Sequence, residues 1–257
     1  MVVNHSRDIS THPTIMTIDL TFPTCWQDLT PKQLRYVFFL LTQNYSADEV
    51  KTFCLCRFAG LHIIAHENNT FHVVLDNRSF HLSALQVAEQ LSHLDWLDTL
   101  PLYPVRLPSI GKNQAISADL TGLPFADFLA LDNLYQGFLQ TQRTDLLQDM
   151  AAILYQAPDI AIKEEERISV FYWFAAVKFL YSRRFSSLFA ETNQDNLLSS
   201  QPTAQRLQTA MDNQIRALTK GDITKEAEVL ATDTIRALTE LNAIAKDYQE
   251  LQKEMKR

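Results

Sequence analysis

The chain has 257 residues, of which 46% are hydrophobic and 21% charged, so it can bury a substantial core. Its formal net charge of −7 disfavours a nucleic-acid backbone as the main partner, because phosphate binding depends on clustered cations. Five glycines are few for phosphate-cradling loops, and few for an all-β fold that is rich in tight turns.

The start of the chain and the cysteines bear on the compartment. Residues 1–14 are predicted to be a flexible lead without the apolar segment of a secretory signal. The three cysteines, Cys25, Cys54 and Cys56, are too few for a disulfide framework. No apolar stretch reaches the ~20 residues of a membrane helix. We therefore expect a cytoplasmic protein with reduced thiols and no membrane partner.

Residues 15–100 are expected to form an α+β region. Ile15–Phe22 alternates apolar and polar residues, which predicts a strand. Helix N-cap signatures at Thr30 and Ser46 predict two helices that form a hairpin.

A small antiparallel sheet is predicted next. The segments Leu61–His66 and Phe71–Leu75 are rich in β-branched and aromatic residues and are separated by four polar residues, which indicates a hairpin. Phe80–Leu82 is expected to add a third strand, and Ser83 then caps a helix.

The middle of the chain divides into an irregular part and a helical part. Residues 101–123 are rich in proline and predict a connection between domains, and 124–190 predict a helical core. Within that core, Ile168–Phe189 contains four consecutive aromatic residues, at 171–174. A helix that is apolar on all sides suits a position surrounded by protein, in the core or in an oligomer interface.

Residues 203–257 predict a helical hairpin with a coiled-coil-like tail, after a polar loop at 191–202. The first helix is expected to end at Gly221, and Asp222 is expected to cap the second. The a and d positions of a heptad repeat fall on Ala227, Leu230, Thr234, Ala237, Leu241, Ile244, Tyr248, Leu251 and Met255. Such a stripe needs a partner surface, within the chain or between chains.

We predict that this amphipathic helix binds a protein partner or a second copy of the chain. The predicted partner-binding residues are Leu230, Leu241, Ile244, Tyr248, Leu251 and Met255.

The histidines of the predicted hairpin do not have the pattern of a metal site. His62 and His66 have the spacing of a zinc-protease helix but lack its glutamate, and on a strand they lie about 13 Å apart. If Asn68 and Asn69 form the turn, His72 faces away from both. We therefore expect strand histidines at the surface.

Catalytic motifs are also missing. There is no G-x-S-x-G, no kinase signature and no complete P-loop. Cys54 and Cys56 lie two apart on a predicted helix, which separates them onto different faces and indicates buried thiols. No catalytic residue, cofactor or metal is therefore predicted.

Two alternatives stay open. One is a metal- or thiol-dependent enzyme whose site is assembled from dispersed residues, namely His62, His66, His72 and Cys25. The other is an adaptor that binds nucleic acid through Lys178, Arg183 and Arg184.

The order of segments supports a resemblance. A helical hairpin (LTPKQLRYVFFLL and SADEVKTFCLCRF) is followed by a β-hairpin, a proline-rich connection, LPFADFLALDNLYQGFL, FYWFAAVKFLYSRRFSSLF and the amphipathic end. This order resembles uncharacterised proteins of tailed-phage or prophage structural modules, whose genes lie beside tail and neck genes. The resemblance implies a virion component or an assembly factor such as a tail assembly chaperone, in the host cytoplasm or the virion. The length and the β-hairpin depart from the well-known tail chaperones.

The sequence thus predicts an α+β, predominantly α-helical fold: a helical bundle with a small antiparallel sheet in the N-terminal half and a long amphipathic C-terminal helix. It predicts a non-enzymatic structural or assembly protein that acts through helical surfaces.

Overall fold

The computed structural model describes residues 2–4, 15–17, 20–190 and 203–255. The fold is predominantly helical, with a small antiparallel sheet in the N-terminal half and a long C-terminal helix, as predicted. The chain divides into two compact units, Met1–Pro101 and Leu102–Arg257. None of the described helices has the length and apolar character needed to cross a bilayer. The predicted loop at 191–202 lies outside the described residues.

The helices of the first unit begin at the predicted N-caps. They are α1 (Pro31–Leu41), α2 (Ala47–Ala59) and α3 (Ala84–Ser92), and 3-10 turns cover Trp26–Asp28 and Asp95–Asp98. Thr30, Ser46 and Ser83 each accept a hydrogen bond from the backbone three residues later and complete a capping box. The α2 helix ends at Gly60, whose φ of +70° is a left-handed C-cap conformation.

A short strand pair lies at the beginning of the chain. β1 (Val2–Asn4) pairs antiparallel with β2 (Ile15–Thr17). The predicted flexible lead therefore contains a strand. The predicted strand at Ile15–Phe22 is shorter than expected, since residues 20–22 have no regular structure.

The predicted three-stranded sheet is confirmed. β3 (His62–Glu67), β4 (Thr70–Leu75) and β5 (Arg78–Ser83) are antiparallel in that order. The turns at Asn68-Asn69 and Asp76-Asn77 have positive φ at both central residues, as a type I′ hairpin requires. Asn and Asp tolerate this conformation better than other non-glycine residues, so a glycine-poor chain can still make two tight hairpins.

Polar groups of the first unit hold the turn at Asp95–Asp98 in place. The Trp26 indole donates to the carbonyl oxygens of Trp96 (3.0 Å) and Thr99 (2.9 Å). Lys51, which is buried on α2, contacts the carboxylates of Asp95 at 2.7 Å and Asp98 at 2.5 Å. The two carboxylates therefore compensate the cost of burying the Lys51 ammonium group.

The second unit contains seven helices among its described residues. They are α4 (Phe125–Thr141), α5 (Asp145–Leu154), α6 (Glu164–Arg184), α7 (Ser186–Ala190), α8 (Thr203–Thr219), α9 (Glu226–Ala231) and α10 (Thr234–Met255). Short strands β6 (Ser109–Ile110) and β7 (Asn113–Gln114) pair with each other, and a 3-10 turn covers Ile223–Lys225.

The aromatic helix α6 lies in the core of this unit, as one of the two interpretations predicts. Trp173, Phe174 and Tyr181 are fully buried. The helix ends at Arg184, five residues before the predicted end, and Phe185 separates it from α7.

The predicted connection at 101–123 is mostly part of the second unit. The boundary between the units follows Pro101, and the core cluster includes Ile110, Leu120 and Leu123. An irregular segment can be buried only if its backbone polar groups find partners.

Aromatic side chains supply three of those partners. Tyr155 donates to the carbonyl of Leu107 at 3.0 Å, Trp173 to that of Ala118 at 2.7 Å, and Tyr181 to that of Asp119 at 2.6 Å. Buried tyrosine and tryptophan usually find such a polar contact for their O–H or N–H group. Tyr155, directly after α5, and Trp173 and Tyr181 on α6 therefore fill the core and also fix the proline-rich segment.

Candidate functional site

The long C-terminal helix starts later than predicted: instead of one helix from Asp222 onward, the chain breaks at Thr232-Asp233. Thr232 is extended, with φ −67° and ψ 147°, and separates α9 from α10. Its carbonyl accepts a hydrogen bond from the backbone N–H of Phe125 at 2.8 Å. Asp222 caps only the 3-10 turn before α9, through the N–H of Thr224 at 3.1 Å. The heptad pattern describes periodicity alone and did not reveal this interruption.

The first residues of α10 are hydrogen-bonded to the loop before α4. Asp233 accepts the N–H of Arg236 at 3.1 Å, as an N-cap does, and the N–H of Gly122 at 2.7 Å. The Thr234 hydroxyl and N–H both donate to the carbonyl of Leu123, at 2.7 and 2.8 Å. The beginning of α10 is therefore held by its own chain.

The middle of α10 is joined to α7. The Asn242 side-chain oxygen accepts the N–H groups of Ser187 (3.0 Å) and Leu188 (3.1 Å) at the start of α7, where N–H groups have no partner within the helix. The Gln249 side chain donates to the carbonyl of Ser187 at 3.1 Å. These contacts fix the α10 axis as far as its last two turns.

Burial decreases along the predicted partner-binding residues. Leu241 is only 3% exposed and belongs to the core cluster, so this residue serves its own chain and is not open to a partner. Leu230 on α9 is half-buried against the same core. Both residues pack within the chain, whereas the sequence analysis placed them among the partner-binding residues.

The remaining four predicted residues form an increasingly exposed row, which we name the distal seam: Ile244, Tyr248, Leu251 and Met255. Ile244 is half-buried, whereas Tyr248, Leu251 and Met255 are 55%, 57% and 85% exposed. Their spacing of four, three and four residues places them on one helix face over about 16 Å. Among the described residues, the face of α10 that packs on the core thus continues past the part that is buried.

The two flanks of the distal seam differ in charge. Glu240, Asp247 and Glu254 recur at intervals of seven on one flank and are all exposed. Positions 238, 245 and 252 on the other flank are Leu, Ala and Gln. A partner therefore meets an apolar row with an acidic border on one side.

A groove of about 380 Å³ lies beside the start of α10. Its apolar side chains include Leu218 and Val229, and its charged ones are Arg236 and Glu240. This volume is at the low end of the range for small-molecule sites.

The structure divides the histidines of the enzyme alternative between the two faces of the sheet. His66 lies opposite Phe71 on one face of the sheet, and its ring stacks on the Phe71 ring at 4.5 Å. His72 lies opposite Ala65 on the other face, as predicted. A bulge between Ile63 and Ala65 places His62 opposite Val74, which shares the face of His72. The predicted orientation is therefore right for His66 and wrong for His62.

One histidine contact was missed. His72 and His81 lie opposite each other on β4 and β5, with their Nε2 atoms 2.9 Å apart. The two-residue turn at Asp76-Asn77 fixes this register and was the signal that could have shown it.

The cysteines do not have the surroundings of a reactive thiol. Burial raises the pKa of the Cys54 thiol to about 12 and also raises the pKa of Cys56. Cys25 hydrogen-bonds the carboxylate of Asp28, whose pKa is lowered mainly by hydrogen bonds from Thr24. Activated thiols sit beside cations or an imidazole, whereas the neighbour here is an anion.

The cations of the nucleic-acid alternative are divided between the core and the surface. Lys178 contacts the Asp132 carboxylate at 2.7 Å and lies 5.1 Å from the centre of the Phe189 ring, with 21% of its side chain exposed. Arg183 and Arg184 are exposed and lie over the rings of Phe179 and Phe185, respectively. Only the two arginines are open to an anion.

A comparison with family models, curated proteins and solved structures finds no match to this chain. Within the described residues, no three side chains of His, Cys, Asp or Glu gather where they could hold a metal ion. The distal seam is our candidate functional site, because three large apolar side chains lie exposed in one row on α10.

Proposed function

We propose that this chain is a non-enzymatic structural or assembly protein that acts through the distal seam. One observation carries the proposal: the buried face of α10 continues without interruption into three large exposed apolar side chains, Tyr248, Leu251 and Met255. A helix end that served only the fold would carry polar residues at these a and d positions. The resemblance to tailed-phage structural modules also implies a structural or assembly role, either as a virion component or as an assembly factor in the host cytoplasm.

The occupant we propose for the distal seam is a second copy of the chain in parallel orientation. In a parallel pair, the acidic flank of one helix lies beside the neutral flank of the other, so Asp247 meets position 252 of its partner. An antiparallel pair brings the two acidic flanks together, and like charges at that position repel. A different protein with basic residues beside an apolar row is the alternative occupant.

The expected affinity is modest. Each of the three exposed side chains contributes about 1–2 kcal/mol on burial, because each is already partly covered. Six such side chains in a pair contribute roughly 6–12 kcal/mol, against an association cost of about 4–15 kcal/mol. Self-association should therefore depend on concentration and be visible only at micromolar levels or above.

Light scattering during size-exclusion chromatography tests the proposal. The unchanged chain should move from 29.5 kDa toward twice that mass as its concentration rises. A variant with Tyr248→Ser, Leu251→Ser and Met255→Ser should stay at 29.5 kDa. The matched control is Ile223→Ser, which removes an apolar side chain that lies outside the distal seam and is 79% exposed, and this variant should associate like the unchanged chain.

The opposite results are equally clear. A seam variant that associates as strongly as the unchanged chain excludes the distal seam as the contact surface. A monomer at every concentration excludes the second copy and leaves the basic partner protein, which is then sought by binding to the unchanged chain and to the seam variant.

A further inference from the structure

The sheet of the first unit places two imidazole rings in direct contact. His72 and His81 face each other across β4 and β5, in a register that runs unbroken from Thr70–Ser83 to Leu75–Arg78. Their Nε2 atoms are 2.9 Å apart, and the ring planes meet at 79°. His81 is exposed and His72 half-buried, so solvent ions can reach the pair. Two adjacent strands thus hold two metal-ligating nitrogens at a fixed separation.

That separation matches one coordination geometry. Two imidazole nitrogens bound at about 2.0–2.1 Å and at right angles lie about 2.9 Å apart. Two ligands of a tetrahedral ion lie about 3.3–3.4 Å apart at the same bond length. Right-angle pairs occur in the tetragonal and octahedral complexes that Cu²⁺ and Ni²⁺ prefer. We propose that His72 and His81 form a two-histidine chelate for a divalent ion of this class, with water in the remaining positions.

Metal binding must replace the hydrogen bond between the His72 and His81 rings and change the positions of the ring protons. At present one Nε2–H donates to the other Nε2, whichever ring carries the proton. Metal binding requires the protons of both rings on Nδ1, so that both Nε2 lone pairs face the ion. Ala65, opposite His72 on β3, places only a methyl group beside the pair.

The test uses Ni²⁺, because Cu²⁺ also reacts with thiols and the chain has three free cysteines. Calorimetric titration of the untagged full chain with NiCl₂ should show an ion bound through the pair. His72→Gln and His81→Gln should each weaken that binding by about tenfold or more, because a single imidazole lacks the effective concentration of the second. The control is His66→Gln, on the opposite face, which should bind like the unchanged chain. Equal binding in all three variants, or equal loss in all three, would overturn the proposal.

A second measurement needs no substitution and so does not depend on how the variants fold. Paramagnetic Ni²⁺ should broaden the imidazole NMR signals of His72 and His81 at concentrations that leave those of His62, His66 and His93 sharp. Broadening that begins at any of these three other rings, or at all of them together, contradicts a chelate at the His72–His81 pair.

Discussion

The hydroxyl group of Thr234 donates a hydrogen bond to the carbonyl oxygen of Leu123 across 2.7 Å. Thr234 is fully buried and stands at the first position of α10. The bond joins the C-terminal helix to the loop before α4, 111 residues earlier in the chain. It fixes where α10 begins, and hence which part of the apolar stripe the core covers.

Removing this hydroxyl should weaken the second unit. Thr234→Val keeps the side-chain shape but loses the donor, while the Thr234 N–H still serves the same carbonyl. We expect a loss of about 1–2 kcal/mol in the free energy of unfolding, measured by urea denaturation. The control is Thr239→Val, whose hydroxyl donates to its own helix at the surface and whose loss should stay within about 0.5 kcal/mol. An equal loss of unfolding free energy in Thr234→Val and Thr239→Val would show that the hydrogen bond to Leu123 adds no stability beyond that of a surface hydroxyl.

A second prediction concerns Tyr181, whose hydroxyl donates to the carbonyl of Asp119. Tyr181→Phe should cost about 0.5–1.5 kcal/mol at neutral pH, since only one hydrogen bond is lost. The control Tyr248→Phe changes an exposed ring and should leave the unfolding free energy unchanged. Urea denaturation of both variants provides the comparison.

Alkaline pH should reduce the difference in unfolding free energy between the unchanged chain and Tyr181→Phe. Burial, and next the charge of Asp119, raises the pKa of Tyr181 above its ordinary value. A raised pKa means that the folded state holds its proton longer than the unfolded state. The resulting stability is complete below pH ~10 and is lost as the pH rises from there through the folded-state pKa. The unchanged chain should therefore lose more stability above pH ~10 than Tyr181→Phe does. Parallel pH profiles would contradict this cause.

A third prediction concerns the cap that α10 provides for α7. Asn242→Ala removes the acceptor of the Ser187 and Leu188 N–H groups and should cost about 1 kcal/mol. Asn242→Asp should keep the cap, because a carboxylate accepts the same bonds and suits a helix N-terminus. Amide hydrogen exchange at Ser187 should become about fivefold faster in the alanine variant only. Unchanged exchange in that variant would show that α7 does not depend on Asn242.

The sequence predicts features that depend on neighbouring residues. The N-caps at Thr30, Ser46 and Ser83 and the turn at Asn68-Asn69 each involve residues no more than three apart, and the structure contains all four. Composition also predicts that the aromatic helix is covered by protein, because four consecutive exposed rings are costly, but it does not distinguish the core from an oligomer interface.

The features that were missed depend on distant residues. The break at Thr232 is stabilised by the N–H of Phe125, and the burial of the proline-rich segment depends on donors such as Trp173 and Tyr181. Periodicity shows that Leu241 and Leu251 share a helix face, but not where along that face the core ends. The position where core burial ends is set by the start of α10, which Asp233 and Thr234 hold on the loop before α4.

The proposed function depends on the parallel pairing of two distal seams. Leu251→Cys tests it most directly, because a parallel pair places the two introduced thiols face to face across the helices. Under mild oxidation, this variant should form a disulfide-linked dimer well above the level seen for the unchanged chain, whereas Ile223→Cys, at an exposed site that is not part of the distal seam, should not. Equal amounts of dimer in the two variants, or none above the level of the unchanged chain, would contradict the account.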